Sequence, residues 1–180
     1  MRNFGLICIT IVCLTFQIQA DAAIDAKLLK EAGLETAWQS AVSLNPNESV
    51  ERVTVLGDYL YILTSSNYLF CLDRNSGKLV FGISAAKAKL PVSEPVDFNN
   101  AAYMIAGNEL LAVDLRSGTE TYRKKLEYPA AARPAINDTY FYIAGMDKSL
   151  HAADCNAHDI FKVNPDDKTT ITSVIISDNS

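Results

Sequence analysis

The sequence predicts an all-β protein assembled from repeated four-stranded antiparallel units, and three observations carry that prediction. First, short runs of β-branched and aromatic residues, Tyr59–Leu63, Tyr68–Leu72 and Leu79–Ile83, are separated by polar stretches rich in Asn, Ser, Asp and Gly. Runs of this length and bounding read as antiparallel strands joined by tight turns. Second, the turn before Leu79 is written Asp73-Arg74-Asn75-Ser76-Gly77-Lys78. The Asp73 carboxylate can accept backbone N–H bonds from residues just ahead of it, and Gly77 supplies the positive φ needed before the next strand. Third, the unit recurs. NYLFCLDRNSGKLVF around Asp73 matches NELLAVDLRSGTETY around Asp114 position for position, and KSLHAADCNAHDIF around Asp154 is a decayed third copy.

The anchors keep step. Asp114 lies 41 residues after Asp73 and Asp154 lies 40 after Asp114; Gly118 lies 41 after Gly77, and His158 replaces the glycine in the third copy. Tyr61, Tyr103 and Tyr142 hold matching places at steps of 42 and 39. Four-stranded units recurring every 40–45 residues or so are the signature of β-propeller blades. The pattern Tyr-x-x-x…Leu-x-x-x-Asp-x-x-Ser-Gly-x-x-x-aromatic resembles the quinoprotein-like (PQQ-repeat) β-propellers. That family includes quinone-dependent dehydrogenases and a non-enzymatic, BamB-like branch that serves outer-membrane assembly. In the family repeat the aromatic after the turn is usually Trp; here it is Phe81, Tyr122 and Phe161. The resemblance runs from about Gly33 to Ser177. It speaks to fold more than to function, because the repeated residues are structural.

Element by element, Met1–Ala22 reads as a secretory signal peptide. Arg2 supplies the positive end, Phe4–Phe16 the apolar run, and Ala20-Asp21-Ala22 a small-x-small site with cleavage after Ala20 or Ala22. A retained membrane anchor is the competing reading, and the apolar stretch is short for it. Cys13 follows Thr-Ile-Val and lacks the small residues of a lipoprotein site. Residues 23–32 form a short lead helix or arm, with Gly33 as its C-cap. Trp38, five residues after Gly33, is placed like the last-strand aromatic of a blade whose other strands lie elsewhere. Blades are then expected at about 50–83, 91–126 and 135–163, with Thr170–Ser177 opening a fourth that runs to Ser180.

After removal of 22 residues about 158 remain, slightly under four repeats, while closed propellers need four to eight blades. The expectation is therefore an incomplete ring, a fragment or truncated reading frame, whose open strand edges are an aggregation liability. Self-association through those edges is the other way to cover them.

Composition narrows the function. The net charge is −5 and no basic patch exists beyond Arg123-Lys124-Lys125, which argues against nucleic acid. Cys71 and Cys155 are the mature cysteines; they sit at different places in the repeat, an offset that does not favour a disulfide. Export without a disulfide framework suits a periplasmic or secreted protein. His151 and His158 are the two histidines. His151 lies in a third-blade strand and His158 in a turn, neither with metal-ligand spacing or a neighbouring nucleophile. Asp73, Asp114 and Asp154 lie on separate blades and serve as turn caps rather than a calcium set. Asn47-Glu48-Ser49 and Asn137-Asp138-Thr139 have the form of glycosylation sequons and are read as turns. No catalytic, cofactor or metal residue is assigned. The resemblance implies a non-catalytic scaffold that binds a protein partner in the cell envelope. Its alternative is the N-terminal part of a quinoprotein dehydrogenase, whose adjacent cysteines, cofactor-stacking Trp and calcium ligands would have to lie elsewhere.

Overall fold

The computed structural model describes residues 25–154, 158–165 and 171–175, so the leader, Cys155 and the last five residues lie outside the described part. The chain divides into two compact units, Met1–Thr36 and Ala37–Ser180. The first contains helix α1, Ala26–Glu31. Asp25 caps its start by accepting the Lys27 N–H at 2.8 Å. Its end is a Schellman closure: Leu34 N–H donates to Leu29 O, Gly33 N–H donates to Lys30 O, and Gly33 takes φ +70°.

Among its described residues the second unit forms three four-stranded antiparallel sheets and no helix, each sheet with its strands in chain order. Blade 1 is β1 (Val50–Leu56), β2 (Tyr59–Thr64), β3 (Tyr68–Asp73) and β4 (Leu79–Ser84). Blade 2 is β5 (Val96–Phe98), β6 (Ala101–Ala106), β7 (Glu109–Asp114) and β8 (Glu120–Lys125). Blade 3 is β9 (Ala135–Ile136), β10 (Phe141–Ala144), β11 (Leu150–Ala153) and β12 (Asp159–Val163). The register repeats as the sequence does. Tyr61 pairs with Cys71 and Cys71 with Phe81; Tyr103, Ala112 and Tyr122 form the same row, and so do Tyr142, Ala152 and Phe161. Each blade also carries an irregularity at one place, between Cys71 and Leu72, Ala112 and Val113, and Ala152 and Ala153. An extra residue on the fourth strand there, Val80, Thr121 or Ile160, bends that strand and strengthens its twist.

The turn mechanism operates as the spacing implies. Asp73 Oδ1 accepts from Ser76 N–H at 2.7 Å and Ser76 Oγ–H at 2.6 Å; Asp114 Oδ1 accepts from the N–H groups of Arg116 and Ser117 and from Ser117 Oγ–H. Gly77 and Gly118 close the loops at φ +68° and +67°. In blade 3 the His158 N–H reaches Asp154 Oδ1 at 3.0 Å.

Blades join by burying one face against the next. Tyr61, Leu63, Leu69, Cys71 and Phe81 of blade 1 share a core with Ala102, Met104, Ala106, Leu111 and Val113 of blade 2. Ile105, Leu110 and Leu126 pack with Tyr128, Phe141 and Ile143 across the next junction. The Phe81 ring lies on Gly118 so closely that a Cβ there would sit 2.5 Å from Phe81 Cγ. Tyr122 meets Phe141 at a centroid distance of 5.9 Å. Phe161, at the same register position of blade 3, is 43 % exposed.

Three expected elements differ. The segment around Trp38 is not a strand: residues 34–49 contain no ladder, yet the Trp38 ring covers Gly77 as Phe81 covers Gly118. Its Nε1–H donates to Arg74 O at 2.8 Å. The aromatic occupies its place without the strand because no described strand lies alongside to pair with it. The blade expected to begin at about residue 91 has its first strand only at Val96–Phe98, preceded by a single bridge from Val92 to Ala106. Pro91 and Pro95 lack the N–H a ladder needs. Residues 171–175, expected to open a fourth blade, are likewise outside any ladder.

Candidate cleft where the inner strands converge

Inner strands β1, β5 and β9 are reached by inter-blade segments, and those segments are held by specific side chains. Asn67 is buried at φ +62° in the β2–β3 turn, where its Nδ2 donates to Lys87 O at 2.8 Å and to Leu90 O at 2.7 Å. A buried amide with both protons used fixes the path of the connection from blade 1 to blade 2. Arg52, on β1, donates from Nη2 to Val92 O at 2.7 Å and ties the same connection to the inner strand. The connection from blade 2 to blade 3 is clasped by backbone bonds: Ala131 N–H to Ala144 O at 2.7 Å and Met146 N–H to Pro129 O at 2.8 Å.

Between these fixed segments lies a cleft of about 540 Å³. Val92, Ile105 and Ala130 give it apolar walls, while Arg52, Glu94 and Arg133 supply charge at its margin. Arg133 and Glu94 pair at 3.5 Å with both side chains roughly half exposed, so the pair is open to exchange for an external partner. Concave shape, apolar walls and a few convergent polar groups are the ordinary attributes of a binding site. Elsewhere in blade 1, Glu48 gathers Asn45, Thr64 and Ser66. The hydroxyls of Ser66 and Thr64, joined by the Asn45 amide, hold its carboxyl at about 2.

One further polar cluster lies at the junction of blades 2 and 3. His151, 2 % exposed, has Nδ1 2.5 Å from Asp159 Oδ2 and Nε2 3.2 Å from both Asp147 carboxylate oxygens. Tyr128 stacks on the imidazole at 3.4 Å between centroids and 12° between planes. Lys162 Nζ reaches Asp147 Oδ2 at 2.5 Å, and this contact, ahead of His151, holds the Asp147 carboxyl at about 2. Burial, with Asp159 and Asp147 facing it, pushes the Tyr128 phenol well above its ordinary range.

Residues singled out in the sequence are placed as follows. Asp73, Asp114 and Asp154 cap separate turns. His158 is exposed beside Asp154, and His151 is buried in the cluster above. Cys71 is a buried free thiol whose ionisation burial pushes up to about 12; Cys155 lies outside the described residues. Arg123 of the short basic run is bonded to Glu109 and Glu120 at 2.8 and 2.9 Å. Among the described residues no three His, Cys, Asp or Glu side chains form a metal-binding group, and no helix is long and apolar enough to cross a membrane. Sequence reasoning did not find Arg52, Asn67, Glu94 or Arg133. Asn67 alone carried a local signal, an Asn in a hairpin turn.

No family model matches the sequence, and no curated protein does. Solved structures do. The chain is similar to the crystal structure of BamB from Moraxella catarrhalis, with 21 % identity and a TM-score of 0.50 over 62 % of this chain and 33 % of that one. It is also similar to the computationally designed Ika8 protein, with 13 % identity and a TM-score of 0.54 over 71 % of this chain and 40 % of that one. This chain thus spans between a third and two fifths of the length of those structures. At such identities the likeness is one of fold: the described residues form three consecutive blades of a BamB-like propeller and no closed barrel.

Proposed function

We propose that this chain is a non-catalytic, exported propeller module that binds a protein partner in the cell envelope through the cleft formed by the inter-blade segments. The observation that carries this reading is the cleft itself. Its walls are fixed by Asn67, Arg52 and the Pro129–Ala131 clasp, and its rim presents the exchangeable pair Arg133–Glu94. A rigid concavity with an apolar wall and a charged rim suits a peptide or protein edge. The described residues bring no nucleophile and base together around it. The similarity to BamB supports the same reading by analogy of fold alone. Export rests on the reading of Met1–Ala22 as a signal peptide.

The test is site-specific photo-cross-linking in cells, with the probe at Ser93 in the cleft or at Thr121 on the outer strand β8. A discrete protein adduct from position 93, absent from position 121 and lost when Arg133→Glu reverses the rim charge, is the expected result. Equal adducts from both positions, or none from the cleft, would overturn the proposal.

A further inference from the structure

We propose that residues 171–175 are the chain's own ligand for the cleft: they lie where the partner's peptide binds, so the partner is an extended segment of the same β-branched and hydroxyl character and must displace them. The placement carries the argument. Thr172 and Ser173 border the cleft of about 540 Å³, Val174 and Ile175 border a neighbouring cavity of about 220 Å³, and Arg133 borders both. Four successive residues therefore run past Arg133 from one cavity to the next. The second cavity is walled by Leu56 of β1, Val96 of β5 and Ile136 of β9, so the segment passes over the place where the three inner strands come together.

Those strands offer what an extended peptide needs. β1, β5 and β9 each stand at the end of their sheet, with one edge outside any ladder among the described residues. An open edge takes up a further strand by main-chain hydrogen bonds, and side chains on alternate residues choose the sequence. Ile171-Thr172-Ser173-Val174-Ile175 suits that task, with three β-branched aliphatics and a threonine. Yet the segment leaves the edges unused. It joins no ladder, and no hydrogen bond ties it to the other described residues. Side chains supply its hold: Ile171 and Val174 are half-buried, while Ile175 is 81 % exposed. A ligand held by packing alone gives way to one that adds main-chain bonds to the same packing. Being part of the chain, it still competes at an effective concentration on the order of 1 mM. Self-occupancy of this kind sets a threshold that weakly binding peptides do not reach. The inference rests on the cleft being the binding face.

Fluorescence anisotropy with a labelled synthetic peptide of the sequence Thr170–Ser177 tests it on the full chain. For a segment whose own dissociation constant is about 0.1 mM, an effective concentration of about 1 mM leaves the site open about one time in ten, so apparent affinity is about tenfold weaker. Val174→Asp removes the half-buried anchor of a segment that belongs to no sheet, and this variant should bind the peptide about tenfold more tightly than the unaltered chain. Adding Ala131→Trp, which fills the cleft from its wall, should abolish binding. In the unaltered chain, saturating peptide should move the Val174 methyl resonances toward their values in the free peptide, a readout that needs no variant. Equal affinities with and without Val174→Asp, binding that survives Ala131→Trp, or no binding to either form would overturn the inference. A cellular cross-link at Ser93 that Val174→Asp leaves unchanged would retain the binding face and sink self-occupancy. The tenfold gain in peptide affinity without any cellular adduct would retain self-occupancy and sink the partner alone.

Discussion

Gly77→Ala is the substitution that most sharply separates the two roles of the turn glycines. At φ +68° an L-residue costs about 1–2 kcal/mol from the backbone alone. A Cβ there would also overlap the Trp38 ring, lying 2.7 Å from Cδ2 and 2.9 Å from Cζ3. The molecule can compress the contact, at about 1–3 kcal/mol for overpacking. It can instead release Trp38, losing a half-buried indole and its bond to Arg74 O, about 2–4 kcal/mol together. These are comparable, so the cheaper response sets the result, and the total comes to about 2–5 kcal/mol. With a slope of about 2 kcal/mol/M the urea midpoint should fall by about 1–2.5 M. Gly57→Ala is the control: φ is +55°, but the nearest atom to its Cβ is Asp97 Oδ2 at 3.7 Å, so only the backbone cost applies. In a Trp38→Ala background, where the overlapping atoms are gone, Gly77→Ala should likewise cost about 1–2 kcal/mol. Equal costs for Gly77→Ala with and without Trp38 would refute the claim that the indole docks on this turn.

Three further outcomes are expected. The carboxyls of Glu48 and Asp147 are held at about 2, and those of Asp73 and Asp114 lie below their usual value, each chiefly through its hydrogen-bond partners. Their stabilisation is present above the unfolded carboxylate range near 4 and is lost as pH falls toward 2, so melting temperatures should drop on that acid limb, less steeply in Glu48→Gln. Burial raises Asp97 instead, so its contribution runs in the opposite direction. Cys71, buried and pushed up to about 12, should resist iodoacetamide at pH 8 in the folded chain and react in urea, as peptide mapping by mass spectrometry will show. Asn67→Ala leaves Lys87 O and Leu90 O without their buried donor and should lower stability by about 1–3 kcal/mol in urea titrations.

Much of the blade was legible in the sequence because its instructions are local. Asp73, Ser76 and Gly77 complete their hydrogen bonds within five residues, and the same letters recur at Asp114, Ser117 and Gly118. Even where blade 3 has lost its glycine, Asp154 still reaches the His158 amide. Less was legible where partners come from separate strands. His151 reads as an ordinary strand residue until β10, β11 and β12 pair and bring Asp147 and Asp159 to its two sides. The cleft is invisible for the same reason, since Arg52 lies on β1 while Val92 and Arg133 lie on two different inter-blade connections. Trp38 was legible in its docking place but not in its backbone, because strand formation depends on a neighbour that alternation alone does not guarantee. The bulge shared by β4, β8 and β12 has no compositional mark at Val80, Thr121 or Ile160.

Ring-current shifts at the turn glycines test the central claim most directly, that the turns of blades 1 and 2 are each covered by an aromatic from the segment before, Trp38 on Gly77 and Phe81 on Gly118. Gly77 and Gly118 Hα protons lie beneath Trp38 and Phe81. The account predicts that both are displaced upfield in the proton NMR spectrum, with cross-relaxation to those rings, and that Trp38→Ala restores Gly77 while leaving Gly118 displaced. Glycine Hα shifts at ordinary positions, without contacts to either ring, would contradict it.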